Sequence, residues 1–202
     1  ENSPAGDALL IDDLYFTVGE GDDIEGPEFL GDDPYEDGDQ RMSLGLFYEG
    51  GYSELREIDN DTRHFFIYDN TFTVATSEDR VEGYISEVLE AGGLGWFGGG
   101  VHWDVSEDLS GWDRMHFWAM SEQVSMESAT VGMTGGGVET RLALGDLGFV
   151  ADGTWQELSV SLSDLAAEGT DLTDVTVPLL LIGEGVASGD QLIIDDLFLT
   201  VD

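Results

Sequence analysis

Hydrophobic and polar positions alternate along most of this chain with the two-residue period of an extended strand. Arg63 to Tyr68 and Thr71 to Thr76 flank Asp69-Asn70, two turn-forming residues, so the pair reads as a hairpin. Further strands are predicted over Val81 to Leu89, Met115 to Ser121, Ala129 to Met133, Glu139 to Leu144 and Trp155 to Leu162. Val175 to Ile182 and Gln191 to Val201 follow, and each segment is bounded by Gly, Asp or Ser. Only Ser163 to Gly169 has helical character, with Ser163 as its cap. Many short strands with Gly-rich connections predict an all-β fold, a two-sheet antiparallel β-sandwich.

The first 40 residues break this pattern. Glu20 to Asp39 holds ten acids in twenty residues together with two prolines, which predicts an extended, solvated linker. Ahead of it lies one apolar strand, Ala8 to Val18. The chain therefore divides into residues 1–19, a linker over 20–40, and a sandwich over 41–202. Asp7 to Val18 is also an internal repeat: it matches Asp190 to Val201 at eight of twelve positions, centred on a shared Ile-Asp-Asp-Leu. Two readings stand side by side. The segment is the last strand of an upstream module, or it is an arm that adds to a sheet edge of a neighbouring copy through Leu9, Ile11, Leu14 and Phe16.

Composition narrows the partners. A formal net charge of −38 arises from 44 acidic residues against six arginines, with no lysine. Nucleic acid and anionic lipid both need cationic contacts, so neither is a partner. Crowded carboxylates repel one another in dilute buffer and are relieved by salt or divalent cations, which suits a halophilic setting or calcium-rich extracellular water. A hydrophobic content of 41% excludes a wholly disordered polymer. Apolar runs such as Val177 to Ile182 are too short to insert into a membrane. No signal peptide is visible at the start, which reads as a cytoplasmic or an already processed chain. Cysteine is absent, which removes disulfides and thiol chemistry together.

Ordered signals over the last 160 residues or so then point to a family. Phe47-Tyr48-Glu49 forms an aromatic-acidic pair on an early strand, and Gly95 to Trp103 is a Gly-rich strand bearing Trp96 and Trp103. Asp108-Leu109-Ser110-Gly111-Trp112-Asp113 leads into a central strand; Trp155 to Ser163 and Ile193-Ile194-Asp195-Asp196-Leu197-Phe198 follow. In this order the segments resemble the jelly-roll, galactose-binding-like carbohydrate-binding modules of secreted polysaccharide-processing proteins. The resemblance implies a non-catalytic, extracellular or cell-surface binder of a polysaccharide or other glycan. It also implies a structural Ca2+ held by Glu49 and Asp195, with Asp196 or carbonyls near Gly50 and Gly51 completing the shell. Adjacent strand residues face opposite sides, so one of Asp195 and Asp196 points to the core unless a bulge intervenes, and a buried carboxylate needs a cation or donors.

For the sugar surface, alternation over Arg114 to Ser121 puts Met115, Phe117 and Ala119 inward and leaves His116 and Trp118 outward. In the same way Leu142 and Leu144 go inward, leaving Arg141 outward. Trp118, His116, Arg141 and Trp103 are the candidate sugar-contacting residues. Gly98-Gly99-Gly100 lacks the flanking signature of a phosphate loop and instead permits a bulge or a close backbone approach. His64, His102 and His116 lack zinc-ligand spacing. No nucleophile motif is present, so the chain reads as a binder and not an enzyme. Asn60-Asp61-Thr62 fits an N-glycosylation sequon. A second function class remains: a structural subunit of an extracellular filament, joined through residues 8–18.

Overall fold

The computed structural model describes residues 40–43, 54–55, 63–81 and 85–201, with the backbone alone at 40–43, 54–55, 63–65 and 201. Among the described residues twelve strands build two sheets. They are β1 (Gln40–Ser43), β2 (Glu54–Leu55), β3 (Arg63–Ile67), β4 (Phe72–Ser77), β5 (Ser86–Ala91), β6 (Trp96–Trp103), β7 (Arg114–Met120), β8 (Thr130–Gly135), β9 (Val138–Ala143), β10 (Gln156–Ser161), β11 (Val175–Glu184) and β12 (Gln191–Val201). One sheet runs β3-β6-β11-β8-β9. The other runs β10-β7-β12, after which β5 and β1 share the far side of β12, β4 pairs with β5, and β2 pairs with β1. Every pairing is antiparallel except that between β1 and β2. The all-β sandwich expected from alternation is what the chain forms. Among the described residues no helix is long and apolar enough to cross a membrane.

The core lies between the sheets. Phe97, Val101, Leu179, Leu181, Val131 and Met133 enter from the five-stranded side; Met115, Phe117, Leu158, Val160, Leu192 and Ile194 meet them from the other, each at most 2% exposed. Burying residues of this size stabilises the fold by roughly 1.5–3 kcal/mol each. Phe72 and Phe97 add an edge-on ring pair, with centroids 5.8 Å apart at 83°.

Two local expectations are corrected. Asp69 (φ 48°) and Asn70 (φ 52°) do turn the chain, but β3 pairs with β6 and β4 pairs with β5, so the turn crosses between sheets and makes no hairpin. The short helix α1 (Leu162–Ala167) is capped by Ser161, whose Oγ accepts from Asp164 N–H at 3.3 Å, and not by Ser163.

Asp195-Asp196 marks a bulge. Asp195 stands opposite Trp118 and Phe198 opposite His116, so three steps along β12 match two along β7. Asp196 takes the extra position at φ 46°. The consequence is a change of phase: Leu192, Ile194, Leu197 and Leu199 all reach the core, although Ile194 and Leu197 are an odd number of residues apart.

Candidate binding face

The outer face of the five-stranded sheet is built by register. Phe66, Gly100, Leu180, Gly132 and Arg141 stand side by side across β3, β6, β11, β8 and β9, and opposite residues in antiparallel strands share a face. This row covers four interstrand steps, about 19 Å. Beside it runs a second row of Gly98, Ile182, Thr130 and Ala143.

The β3 end is aromatic. Phe66 meets Tyr68 edge-on with centroids 5.0 Å apart, and Tyr68 lies 6.5 Å from Trp96 at 32°. Both of the latter rings lie over Gly98: a Cβ there would come 2.8 Å from Trp96 Cζ3 and 3.0 Å from Tyr68 Cδ2. On the core side of the same strand a Cβ at Gly99 would come 2.8 Å from the Phe72 ring. The Gly98-Gly99-Gly100 run thus lets rings approach the backbone from both sides, the close approach expected of it. Tyr68 remains 41% exposed.

The β9 end is polar. A cleft of about 720 Å³ is lined by Thr130, Glu139, Arg141, Ile182, Glu168 and Glu184 among others. Arg141 Nε donates to Glu139 Oε1 at 2.9 Å, so its charge is already balanced within the cleft. Thr130 Oγ1 donates to the Ile182 carbonyl at 3.0 Å and fixes the floor.

The four sugar candidates are not brought together. Trp103 is 2% exposed and belongs to the core, because its position on β6 has core-facing parity with Val101. Arg141 faces outward as alternation predicted, but β9 belongs to the five-stranded sheet, whereas His116 and Trp118 lie on the seven-stranded one. Those two do point away from the core, on a face that is already occupied. His116 stacks on Phe198 at 5.1 Å and 9°, with Nε2 2.9 Å from Thr200 Oγ1 and Nδ1 3.2 Å from Glu157 Oε1. Trp118 is half-buried, and its Nε1 is enclosed with no hydrogen-bond partner among the described residues. The segment Glu78–Val81 is tied to this face: Val81 N–H donates to Asp195 Oδ2 at 2.6 Å, and Trp155 Nε1 donates to Asp79 Oδ1 at 3.1 Å. Sequence reasoning missed Phe66, Tyr68 and Trp96 as a set. Their signal was a Trp two residues before a run of three glycines.

Of the metal candidates, Glu49 lies outside the described residues. Asp195 and Asp196 are 1% and 0% exposed. The bulge answers the question of which one faces inward: neither escapes burial. Asp195 also accepts from the Asp196 N–H through Oδ1 at 2.8 Å. Two consecutive buried carboxylates fit the donor chemistry of a hard cation. Among the described residues no group of three or more His, Asp or Glu is placed to hold a metal, so any shell draws on further oxygens. The arm residues Leu9, Ile11, Leu14 and Phe16 and the acidic linker lie outside the described residues.

Comparison with known proteins finds no protein family and no curated protein that matches. Solved structures do match, and they include carbohydrate-binding modules with the β-sandwich fold. A family 30 carbohydrate-binding module of a cellulosomal cellulase of Clostridium thermocellum aligns at TM-score 0.52 and 17% identity, over 68% of this chain and 86% of that one. An exo-β-agarase aligns at TM-score 0.54 and 12% identity, over 78% of this chain and 24% of that one. At these identities the likeness is one of fold.

Proposed function

We propose that this chain is a non-catalytic module that binds a polysaccharide across the outer face of its five-stranded sheet. The observation that carries the reading is the presence on one sheet face of an aromatic flank (Phe66, Tyr68, Trp96) and a polar cleft at Arg141, with Gly98, Gly100, Leu180 and Gly132 buried between them. Sugar rings present apolar C–H faces to aromatic rings and hydroxyls to guanidinium and carboxylate groups. Apolar walls with a few placed polar groups are how such ligands are oriented. Glu139 balances Arg141, and Glu168 and Glu184 add negative charge, so the cleft favours an uncharged polymer. Such ligands, and the fold shared with carbohydrate-binding modules, accord with an extracellular or cell-surface setting.

The test is affinity electrophoresis through gels containing agarose or soluble β-glucans. Trp96→Ala and Tyr68→Ala should each weaken retention about tenfold, the equivalent of about 1.4 kcal/mol. Trp118→Ala should leave retention unchanged while lowering the melting temperature. Retention lost with Trp118→Ala but kept with Trp96→Ala would place the ligand on the other sheet.

Calcium belongs to the same reading as a structural ion at Asp195 and Asp196, with Glu49 as a further ligand. Its support is the burial of two adjacent carboxylates, whose mutual repulsion a divalent cation offsets. Calcium at about a hundred times its dissociation constant should stabilise by about 2.7 kcal/mol, or raise the melting temperature by about 5–10 °C. Asp196→Asn, which tolerates the left-handed backbone, should abolish that rise. An unchanged wild-type melting curve in calcium and in chelator would rule the ion out.

A further inference from the structure

The bulge in β12 explains what the N-terminal repeat contains. In β12 the core-facing positions are Leu192, Ile194, Leu197 and Leu199, a spacing that makes one face only because Asp195-Asp196 holds an extra residue. The repeat sets Leu9, Ile11, Leu14 and Phe16 at the same spacing, with Asp12-Asp13 at the bulge position. Residues 7–18 thus repeat the sequence pattern of the bulged strand β12, which is far more specific than an apolar run. Such a strand needs a sheet edge to pair with and an apolar surface to cover. In its own sandwich the matching place is taken, since β12 is flanked by β7 on one side and by β5 and β1 on the other.

One edge suits it. Among the described edge strands, β3, β9, β10 and β2 each carry an ionisable side chain, the usual guard against strand addition, whereas β4 (Phe-Thr-Val-Ala-Thr-Ser) carries none. Thr73, Val74, Ala75 and Thr76 of β4 are all exposed. Val74 shares the side of Phe72, which is 3% exposed and in the core, yet Val74 is 40% exposed. The sandwich is therefore open along β4, where an added strand with one apolar face would cover Val74.

We propose that residues 7–18 of one copy add as a strand alongside β4 of a second copy, extending its seven-stranded sheet. Residues 19–39 supply the reach, about 70 Å when fully extended. With ten carboxylates the linker repels itself and its own sandwich, so it carries the arm outward towards another molecule. Each copy then has one donor and one acceptor, a head-to-tail contact that propagates. Two chains of charge −38 repel, so the contact strengthens with salt.

Light scattering coupled to size exclusion, on the full chain at about 1 M salt, where the screening length is about 3 Å, tests this. The wild-type mass should rise with concentration well above the 21.9 kDa of one chain. Leu14→Asp on the arm and Ala75→Lys on β4 should each return it to one chain with unchanged melting curves. If Ala75→Lys fails to fold, Thr73→Lys replaces it. Mixing the two variants should then yield a capped dimer and nothing larger, because one brings the intact acceptor and the other the intact arm. A wild type that stays monomeric at every concentration, assembly that survives either variant, or a mixture that forms no dimer each overturns the proposal.

Discussion

Three aspartates show how single side chains in this very acidic chain find neutral donors. Asp108 Oδ1 accepts from Ser110 N–H at 2.9 Å and Oγ–H at 2.6 Å; Asp152 does the same with Thr154, and Asp171 with Thr173. Both bonds favour the ionised form and hold each carboxyl below its ordinary value of 3.8, the side-chain bond contributing most. At Asp171 the charge of Asp108 opposes the shift slightly. Since the folded values are depressed, the stabilisation is complete above the ordinary aspartate value and is lost as pH falls through the lower folded ones. Removing the hydroxyls with Ser110→Ala, Thr154→Val and Thr173→Val together should raise the midpoint of acid unfolding, followed by circular dichroism. An unmoved midpoint would mean that these turns add nothing to acid resistance. Their Asp-x-Ser/Thr spacing was on the page as sequence, since such side chains bond the backbone two residues on.

At the scale of elements, the β12 bulge decides more than any one contact. Deleting Asp196 would turn Leu197 and Leu199 away from the core and their neighbours towards it. That variant should lose its cooperative thermal transition, whereas Leu197→Ala should cost only about 2–5 kcal/mol. A deletion variant that melts like the wild type would show that the register is held elsewhere. Strand positions were legible because alternation is local: β12 coincides with its predicted span, and inward and outward faces of β7 and β9 came out as alternation required. Strand partners were not legible. Asp69-Asn70 carries hairpin chemistry, yet β3 pairs with β6, beyond β4 and β5 in the chain, while β4 pairs with the next strand, β5, and the turn residues encode neither choice.

The whole molecule explains why the candidate site was only half readable. Trp118 and Arg141 both point outward, but a two-sheet fold has two outward faces, and the sequence does not say which face a strand serves. The bond from Val81 to Asp195, the residue opposite Trp118, is likewise a long-range fact. Phe66, Tyr68 and Trp96 meet because β3 and β6 pair, so their clustering appears only with the fold. The resemblance read from ordered motifs was sound at the level of architecture, where order along the chain is the informative quantity.

β12 occupies the middle of its sheet and is made last among the strands that sheet contains. During synthesis the slot between β7 and β5 stays open until residue 201 clears the ribosome, so β7 is paired only with β10 and β5 only with β4 until then. Closure of this sheet therefore waits on one eleven-residue strand that joins elements made well before it.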